Sequence, residues 1–180
     1  MIPMKKTQLL QKSSLSDFDA IFSLLEESFP LDEYRPYDAQ KALLDNPQYS
    51  VYVLPDEVSH KIKALVTVWQ LKTFAFIEHL AVAPGYRNQG LGAKILHEIG
   101  DLLACRLVLE VELPETEMAK RRIGFYRRNG FALNEYPYMQ PAYGKGREAV
   151  PLLLMTTDGG IDQAEFESIK QQLYQTVYGK

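Results

Sequence analysis

Apolar positions follow the helical period in some stretches of the chain and alternate, as in strands, in most others. The first helical stretch has one apolar face, made of Phe18, Ile21, Phe22, Leu25 and Phe29. Ser16, with Asp19 three residues later, is predicted to cap this helix. A break with two prolines, "FPLDEYRPYD", and a short helix over "AQKALLDN" are expected next.

One strand-like run precedes the first helix, and the others follow it and then alternate with further helices. The predicted strands are "KKTQLLQ", "SVYVLP", "KIKALVTVWQL", "FAFIEHLAVAP", "RLVLEVEL", "FALNEYPY" and "EAVPLLLMTT". Helices are predicted from Gly90 to Leu103, over "EMAKRRIGFYRR", and over residues 161–177. Because strands and helices are interleaved, the chain is predicted to form a single α/β domain over residues 1–180 with a mixed sheet.

Composition narrows the class of partner. Apolar residues make up 46% of the 180 residues and charged residues 24%, as in ordinary globular proteins. A net charge of −3 without a long basic run argues against nucleic acid or an anionic membrane as the main partner. Since the sequence has neither a signal-peptide stretch nor an apolar run of membrane-spanning length, cytoplasmic localisation is expected.

Cysteine and histidine usage argues against a metal site. Cys105 is the only cysteine, which excludes an internal disulfide and a cysteine-rich zinc site. His60, His79 and His97 lack ligand spacing, so no metal is expected. Cys105 has no adjacent histidine and is predicted to be a buried thiol rather than a nucleophile.

"PGYRNQGLGAKIL", residues 84–96, places two glycines where a predicted strand meets a predicted helix. The amides at a helix start lack partners and favour an anion, and glycines let a phosphate approach them. A P-loop needs Lys and Ser/Thr where Leu91 and Gly92 stand, so that class is excluded. A dinucleotide site for NAD remains an alternative, because Glu110 stands where its acidic residue is expected, but Ile95 occupies the position of its third glycine.

The same segment carries a family resemblance. Arg87-Asn88-Gln89-Gly90-Leu91-Gly92-Ala93 matches the Arg/Gln-x-x-Gly-x-Gly/Ala signature of the GNAT acetyltransferase superfamily. The strand "IEHLAVAPGYR" precedes it, and "FYRRNGF" follows one strand and one helix later, in the family's order. The chain thus resembles this family over about residues 5–156. The resemblance implies a mixed, mostly antiparallel sheet flanked by helices and an acetyl-CoA-dependent N-acetyltransferase.

The resemblance also implies roles for individual residues. The amides from Arg87 to Ala93 would hold the pyrophosphate of acetyl-CoA, the co-substrate. The backbone of Leu80, Ala81 and Val82 would pair with the pantetheine arm as with an added strand. By similarity Tyr126 is the acid that protonates the leaving thiolate when the acetyl group passes directly to a primary amine.

Glutamate carboxylates are the candidates for deprotonating and binding the acceptor amine. An amine like that of lysine has a pKa of about 10.4 and must lose a proton before it attacks, so a base is expected. Glu78 is the candidate base, and Glu110 and Glu112, which share a strand face, would complete an acidic pocket for a cationic amine. A bulge near Glu78 would change which side it faces. Tyr34 and Arg35, in the break after the first helix, are candidate substrate contacts.

Two features leave alternatives open. Ala119 and Arg122 stand where many family members carry Asn and Ala, which puts in doubt the coenzyme contact made by that Asn. The helix over residues 161–177 would either cover the sheet or mediate a homodimer through Tyr174 and Tyr178. The expected acceptor is a small cationic amine. A protein or peptide amine and a non-catalytic acetyl-CoA-binding module are the alternatives.

Overall fold

Alternating apolar residues build a seven-stranded sheet in the computed structural model, which describes residues 10–180. The strands are β1 (Gln11–Lys12), β2 (Tyr49–Pro55), β3 (Ile62–Gln70), β4 (Phe74–Val82), β5 (Arg106–Glu112), β6 (Ala132–Gln140) and β7 (Val150–Thr156). They pair in the order β1-β2-β3-β4-β5-β7-β6. All neighbours are antiparallel except β4 and β5, which confirms the predicted mixed, mostly antiparallel sheet.

Among residues 10–180, five α-helices connect or flank the strands. They are α1 (Phe18–Ser28), α2 (Tyr37–Ala42), α3 (Leu91–Leu103), α4 (Glu117–Arg128) and α5 (Gln163–Thr176). None of the helices found in residues 10–180 is both long and apolar enough to cross a membrane. The helices lie where the apolar periodicity predicts them, with the ends shifted by a few residues.

Three local predictions need comment. The predicted cap of Ser16 and Asp19 is wrong: Ser14 and Asp17, two residues earlier, form a capping box around a short 3-10 turn over Leu15–Asp17, and α1 continues directly from this turn. Cys105 is exposed rather than buried, since Ala104 ends α3 in a left-handed conformation and the chain turns there before β5. The predicted strand "KKTQLLQ" lies largely outside the described residues, which include only its end, at β1.

Two apolar layers cover the sheet. On one face, α1 and α5 pack on side chains such as Trp69, Phe76 and Leu154. On the other face, α3 and α4 pack on side chains such as Val66 and Met155. The C-terminal helix therefore covers the sheet.

The short parallel pairing of β4 with β5 positions the site. These parallel strands pair only where Phe74–Ile77 lies beside Arg106–Leu109. Beyond that point β4 continues along β3, while β5 continues along β7. The two strands therefore diverge, and their unpaired inner edges frame a wedge that opens through the sheet.

Candidate active site

The wedge contains a cavity of about 450 Å³. Both diverging strands, the end of α1, one side of α4 and the connection after β6 contribute to its walls. The predicted site residues that line it are Glu78, Leu80, Ala81, Val82, Arg87, Glu110, Glu112 and Tyr126. Tyr34 and Arg35 are not among the lining residues.

The start of α3 has the geometry of an anion site. Gly90 is the N-cap residue with φ of 74°, a conformation that other residues adopt only at a cost. The first helical hydrogen bond runs from the Lys94 amide to the Gly90 carbonyl, at 3.3 Å. The amides of residues 91–93 precede that bond, and no side chain caps them. They are therefore available to a negatively charged group.

Close packing behind this helix start depends on Gly92. A Cβ atom at that position would lie 3.1 Å from Cζ of Phe125 in α4, closer than ordinary van der Waals contact. The glycine therefore lets α3 and α4 approach each other beside the wedge. Asn88 and Gln89 are exposed in the loop that leads into α3, and Ala93 is half-buried in its first turn.

One edge of β4 remains without a partner strand next to the cavity. Leu80, Ala81 and Val82 pair with β3 on their other side. The guanidinium of Arg87 donates from Nε to the Val82 carbonyl at 2.9 Å, which fixes the loop against the end of this strand. An extended ligand can pair with such an edge in the way an added strand does.

Tyr126 projects from α4 into the wedge. Its ring makes edge contacts with Phe125 and Phe131, at centroid distances of 5.2 and 5.7 Å. No group of residues 10–180 forms a hydrogen bond with its hydroxyl. Burial raises the pKa of Tyr126 to about 12, against a smaller lowering by Arg122. The phenol therefore keeps its proton at neutral pH and can donate it.

Glu78 lies at a β-bulge and is tightly held. Thr67 pairs with His79 and the next residue of β3 pairs with Ile77, so Glu78 is the extra residue. Its side chain is 1% exposed and forms an ion pair with Arg35 at 2.8 Å. Trp69 Nε1 and the hydroxyl of Tyr143 donate to it at 3.1 and 2.9 Å.

These contacts keep Glu78 ionised. Burial alone would raise the pKa of its carboxyl, but Arg35, helped by His79, Trp69 and Tyr143, lowers it below the usual value. A carboxylate stabilised in this way is a weak base. The predicted substrate contact Arg35 is therefore the buried counter-ion of the predicted base, and Tyr34 packs against Phe22, with centroids 5.9 Å apart.

Glu110 has the opposite environment. The hydroxyls of Tyr138 and Tyr178 donate to its Oε1 at 2.9 and 2.6 Å. It forms no ion pair with any of residues 10–180. Burial raises its pKa to about 8, and the negative charges of Glu78 and Glu33 add to the increase, while the two phenols oppose it. Glu110 thus has a pKa close to neutral pH, and burial also raises the pKa of Glu33 in the same cavity.

Two further polar side chains of the wedge, Glu112 and His79, are held by partners. Glu112 forms an ion pair with Arg122 at the half-exposed mouth of the cavity. Burial lowers the pKa of His79, against the influence of Glu78, and its Nε2 lies 2.8 Å from the carbonyl oxygen of Glu33. Within residues 10–180, no three His, Cys, Asp or Glu side chains are grouped as a metal site would require.

Two loops close the α1 side of the cavity. Gln140, the last residue of β6, donates from Nε2 to the Asp32 carbonyl at 2.9 Å. The Glu148 amide donates to the Asp32 carboxylate at 2.9 Å, and Arg147 Nε donates to the Tyr34 carbonyl at 3.1 Å. These bonds join the segment after α1 to the end of β6 and to the segment before β7, next to the part of the cavity lined by Glu33 and Gln140.

Sequence reasoning did not assign several groups of the site. Trp69 and Glu33 carry no motif, and the sequence marks Tyr178 only as a candidate dimer contact. One signal in the sequence could have placed Tyr178 near the sheet. It directly follows Val177, the last buried apolar residue of the C-terminal amphipathic pattern.

Comparisons with known proteins agree with this geometry. The family model "Acetyltransferase (GNAT) domain" matches residues 47–133. A protein of Bacteroides thetaiotaomicron assigned to the GNAT family as an acetyltransferase is similar in structure, with TM-score 0.85 and 36% identity over 95% of this chain and 98% of its own. No curated protein matches the sequence significantly.

More distant solved structures share the fold. The ribosomal-protein-S18-alanine N-acetyltransferase of Escherichia coli has TM-score 0.63 and 19% identity over 86% of this chain and 96% of its own. A variant of the spermidine N-acetyltransferase SpeG of Vibrio cholerae has TM-score 0.60 and 16% identity over 82% of this chain and 93% of its own. At such identities the likeness concerns the fold.

Proposed function

The chain belongs to the GNAT family of acetyltransferases, and we propose that it transfers the acetyl group of acetyl-CoA to a primary amine of a small cationic molecule. One observation carries the proposal. A single wedge has free helix-start amides next to it at one end and a buried carboxyl that titrates near neutrality at the other. Acyl transfer to an amine needs both an anion-holding end and a proton acceptor.

The residues of the α3 start fit the coenzyme. We assign the amides of residues 91–93 to its phosphates, with Arg87 to Gly90 forming the loop around them. The unpaired edge of Leu80 to Val82 would hold the amide groups of the pantetheine arm. When bound, acetyl-CoA supplies an acetyl group activated as a thioester. Ile95 is fully packed in the core, where a dinucleotide fold needs its third glycine, so NAD is the less suitable ligand.

Proton transfer is assigned to two residues on either side of the wedge. The amine nitrogen bonds to the acetyl carbon while the carbon–sulfur bond breaks. Tyr126 gives its proton to the leaving thiolate, and the amine gives one to the carboxylate of Glu110. Glu110 suits this task better than Glu78, because a base works best when its pKa lies near the working pH. Glu78 then remains as fixed negative charge in the wall.

The acceptor side favours a small cation. The carboxyls of Glu33, Glu78 and Glu110 face this part of the cavity, and Arg35 neutralises only Glu78. The hydrogen bonds that join Asp32 to Gln140 and Glu148 hold two segments together on that side, which favours a small acceptor over an extended peptide. A protein or peptide amine would need such a groove, and it is the alternative acceptor.

Calorimetric titration with acetyl-CoA, with NAD as the control ligand, tests the coenzyme site. Wild type should bind acetyl-CoA, and Gly90→Glu should lose binding because the new carboxylate lies in front of the free amides. Gly159→Glu is the matched control, since Gly159 also has positive φ and open space but lies after β7. Failure of wild type to bind acetyl-CoA would overturn the proposal.

Turnover is tested with a panel of small amines, polyamines and peptides. Wild type should acetylate small cationic amines, and Tyr126→Phe should reduce kcat about 100-fold or more while acetyl-CoA still binds. Preference for peptides would move the acceptor to the alternative class. Binding of acetyl-CoA without turnover of any amine would instead indicate a non-catalytic binding module.

A further inference from the structure

The tail that follows α5 reaches Glu110, one of the carboxyls that line the cavity. We infer that Tyr178 is a positioning residue that orients Glu110 and stabilises its ionised form, so that a segment beyond the sheet controls proton transfer. The inference rests on the proposed function in assigning Glu110 as the proton acceptor. The contact itself, between the phenol and the carboxylate, does not depend on that assignment.

The hydrogen bonds leave one carboxylate oxygen for the cavity. The hydroxyls of Tyr138 and Tyr178 both donate to Oε1 of Glu110. Oε2 has no hydrogen-bond partner in the described part of the chain and is not a fully buried atom. Since Glu110 also lines the cavity, Oε2 is the oxygen that can accept a proton from an amine there.

The position of Tyr178 is fixed independently of Glu110. Arg35 Nη2 donates to the carbonyl of Val177 at 2.9 Å, and the Tyr178 amide donates to the carbonyl of Leu173 at 3.2 Å. The rings of Tyr143 and Tyr178 lie 5.2 Å apart, and Tyr143 donates to Glu78. The tail is therefore held by the same guanidinium that holds Glu78, and this contact fixes the Tyr178 phenol beside Glu110.

The groups around Glu110 leave the stabilisation of its carboxylate to the phenol hydrogen bonds. The titratable groups that face it are Glu33, Glu78, Tyr138, Tyr143, Tyr174 and Tyr178. None of them is a cation, so hydrogen bonds are what stabilise the carboxylate. Burial and the nearby Glu110 raise the pKa of Tyr178 well above its ordinary value, which keeps it a donor over the working range.

The pH dependence of kcat/KM in Tyr178→Phe tests the inference. A hydrogen bond to a charged group contributes about 1.5 kcal/mol or more, so its loss should move the rising limb of the profile up by about one pH unit. At a pH below that limb, kcat/KM should fall about 10-fold. Tyr174→Phe is the matched control, because Tyr174 faces Glu110 but donates to the Met139 carbonyl. An unshifted limb in active Tyr178→Phe would overturn the inference.

A second measurement needs no turnover. The unfolding free energy is measured against pH for wild type and for Tyr178→Phe, each with and without Glu110→Gln. In each background, the difference between Glu110 and Gln reports ionisation of Glu110 in the folded state. The difference stops changing with pH at the folded-state pKa of Glu110, and in the Tyr178→Phe background this upper end should move up by about one pH unit. An unmoved upper end would refute the role of Tyr178. If wild type acetylates no amine but the upper end moves, the proposed function fails while the positioning contact stands.

Discussion

Replacing Glu110 with Gln should remove a large pH-dependent loss of stability. The folded protein holds this carboxyl at a pKa of about 8, compared with an ordinary value of 4.5. Between these values the unfolded chain has released the proton while the folded protein still binds it. Stability therefore falls as pH rises through this window, by up to 1.36 kcal/mol for each pH unit.

The magnitude follows from the two pKa values. Integrated from pH 5 to pH 9, the loss due to Glu110 is about 4 kcal/mol. Glu110→Gln does not ionise, so its unfolding free energy should improve relative to wild type by that amount across the range. The amide keeps the shape of the carboxyl and can still accept the phenol hydrogen bonds through its oxygen.

Urea titrations at pH 5, 6, 7, 8 and 9 measure the effect. Val111→Ala is the control, because it removes buried volume on the same strand without a titratable group and should lower stability equally at every pH. Parallel curves for wild type and Glu110→Gln over this range would refute the reasoning. They would mean that the folded protein solvates the Glu110 carboxylate as well as water does.

Two further predictions concern packing and charge. Gly92→Ala should lower the free energy of unfolding by about 1–2 kcal/mol and weaken acetyl-CoA binding, because the added Cβ lies 3.1 Å from a ring of α4. Gly85→Ala is the control, since its Cβ would contact nothing, and it should match wild type in urea and calorimetric titrations. Arg35→Met should lose about 3–5 kcal/mol by leaving Glu78 buried and unpaired. Urea unfolding should show part of that loss recovered in Arg35→Met/Glu78→Met, and a double variant less stable than the single would contradict the ion-pair explanation.

The helices and strands and the glycine loop can be predicted from the sequence, because both depend on residues that lie close together in the chain. Apolar spacing placed α3 after Gly90, since a helix face and its cap lie within a few residues of each other. The capping pair is ambiguous in the sequence, because Ser14 and Ser16 both have an aspartate three residues later. Only the intervening 3-10 turn distinguishes them.

The charge state of the carboxyls could not be read in the same way. Glu78 and Glu110 look alike as acidic residues inside apolar strands. Their difference comes from partners distant in sequence, Arg35 for one and the Tyr178 phenol for the other. The bulge at Glu78 also breaks the alternation on which facing is inferred. Periodicity therefore identifies where a carboxyl lies, whereas tertiary packing decides what it does.

The short parallel pairing of β4 and β5 has a consequence for the cohesion of the whole molecule. It divides the sheet into two hydrogen-bonded blocks, β1–β4 and β5-β7-β6, joined only from Phe74 to Ile77. Amide hydrogens beside this joint should exchange through the easiest local opening of the sheet. A ligand lying along the wedge contacts both blocks, so binding it and holding the two blocks together become one coupled equilibrium.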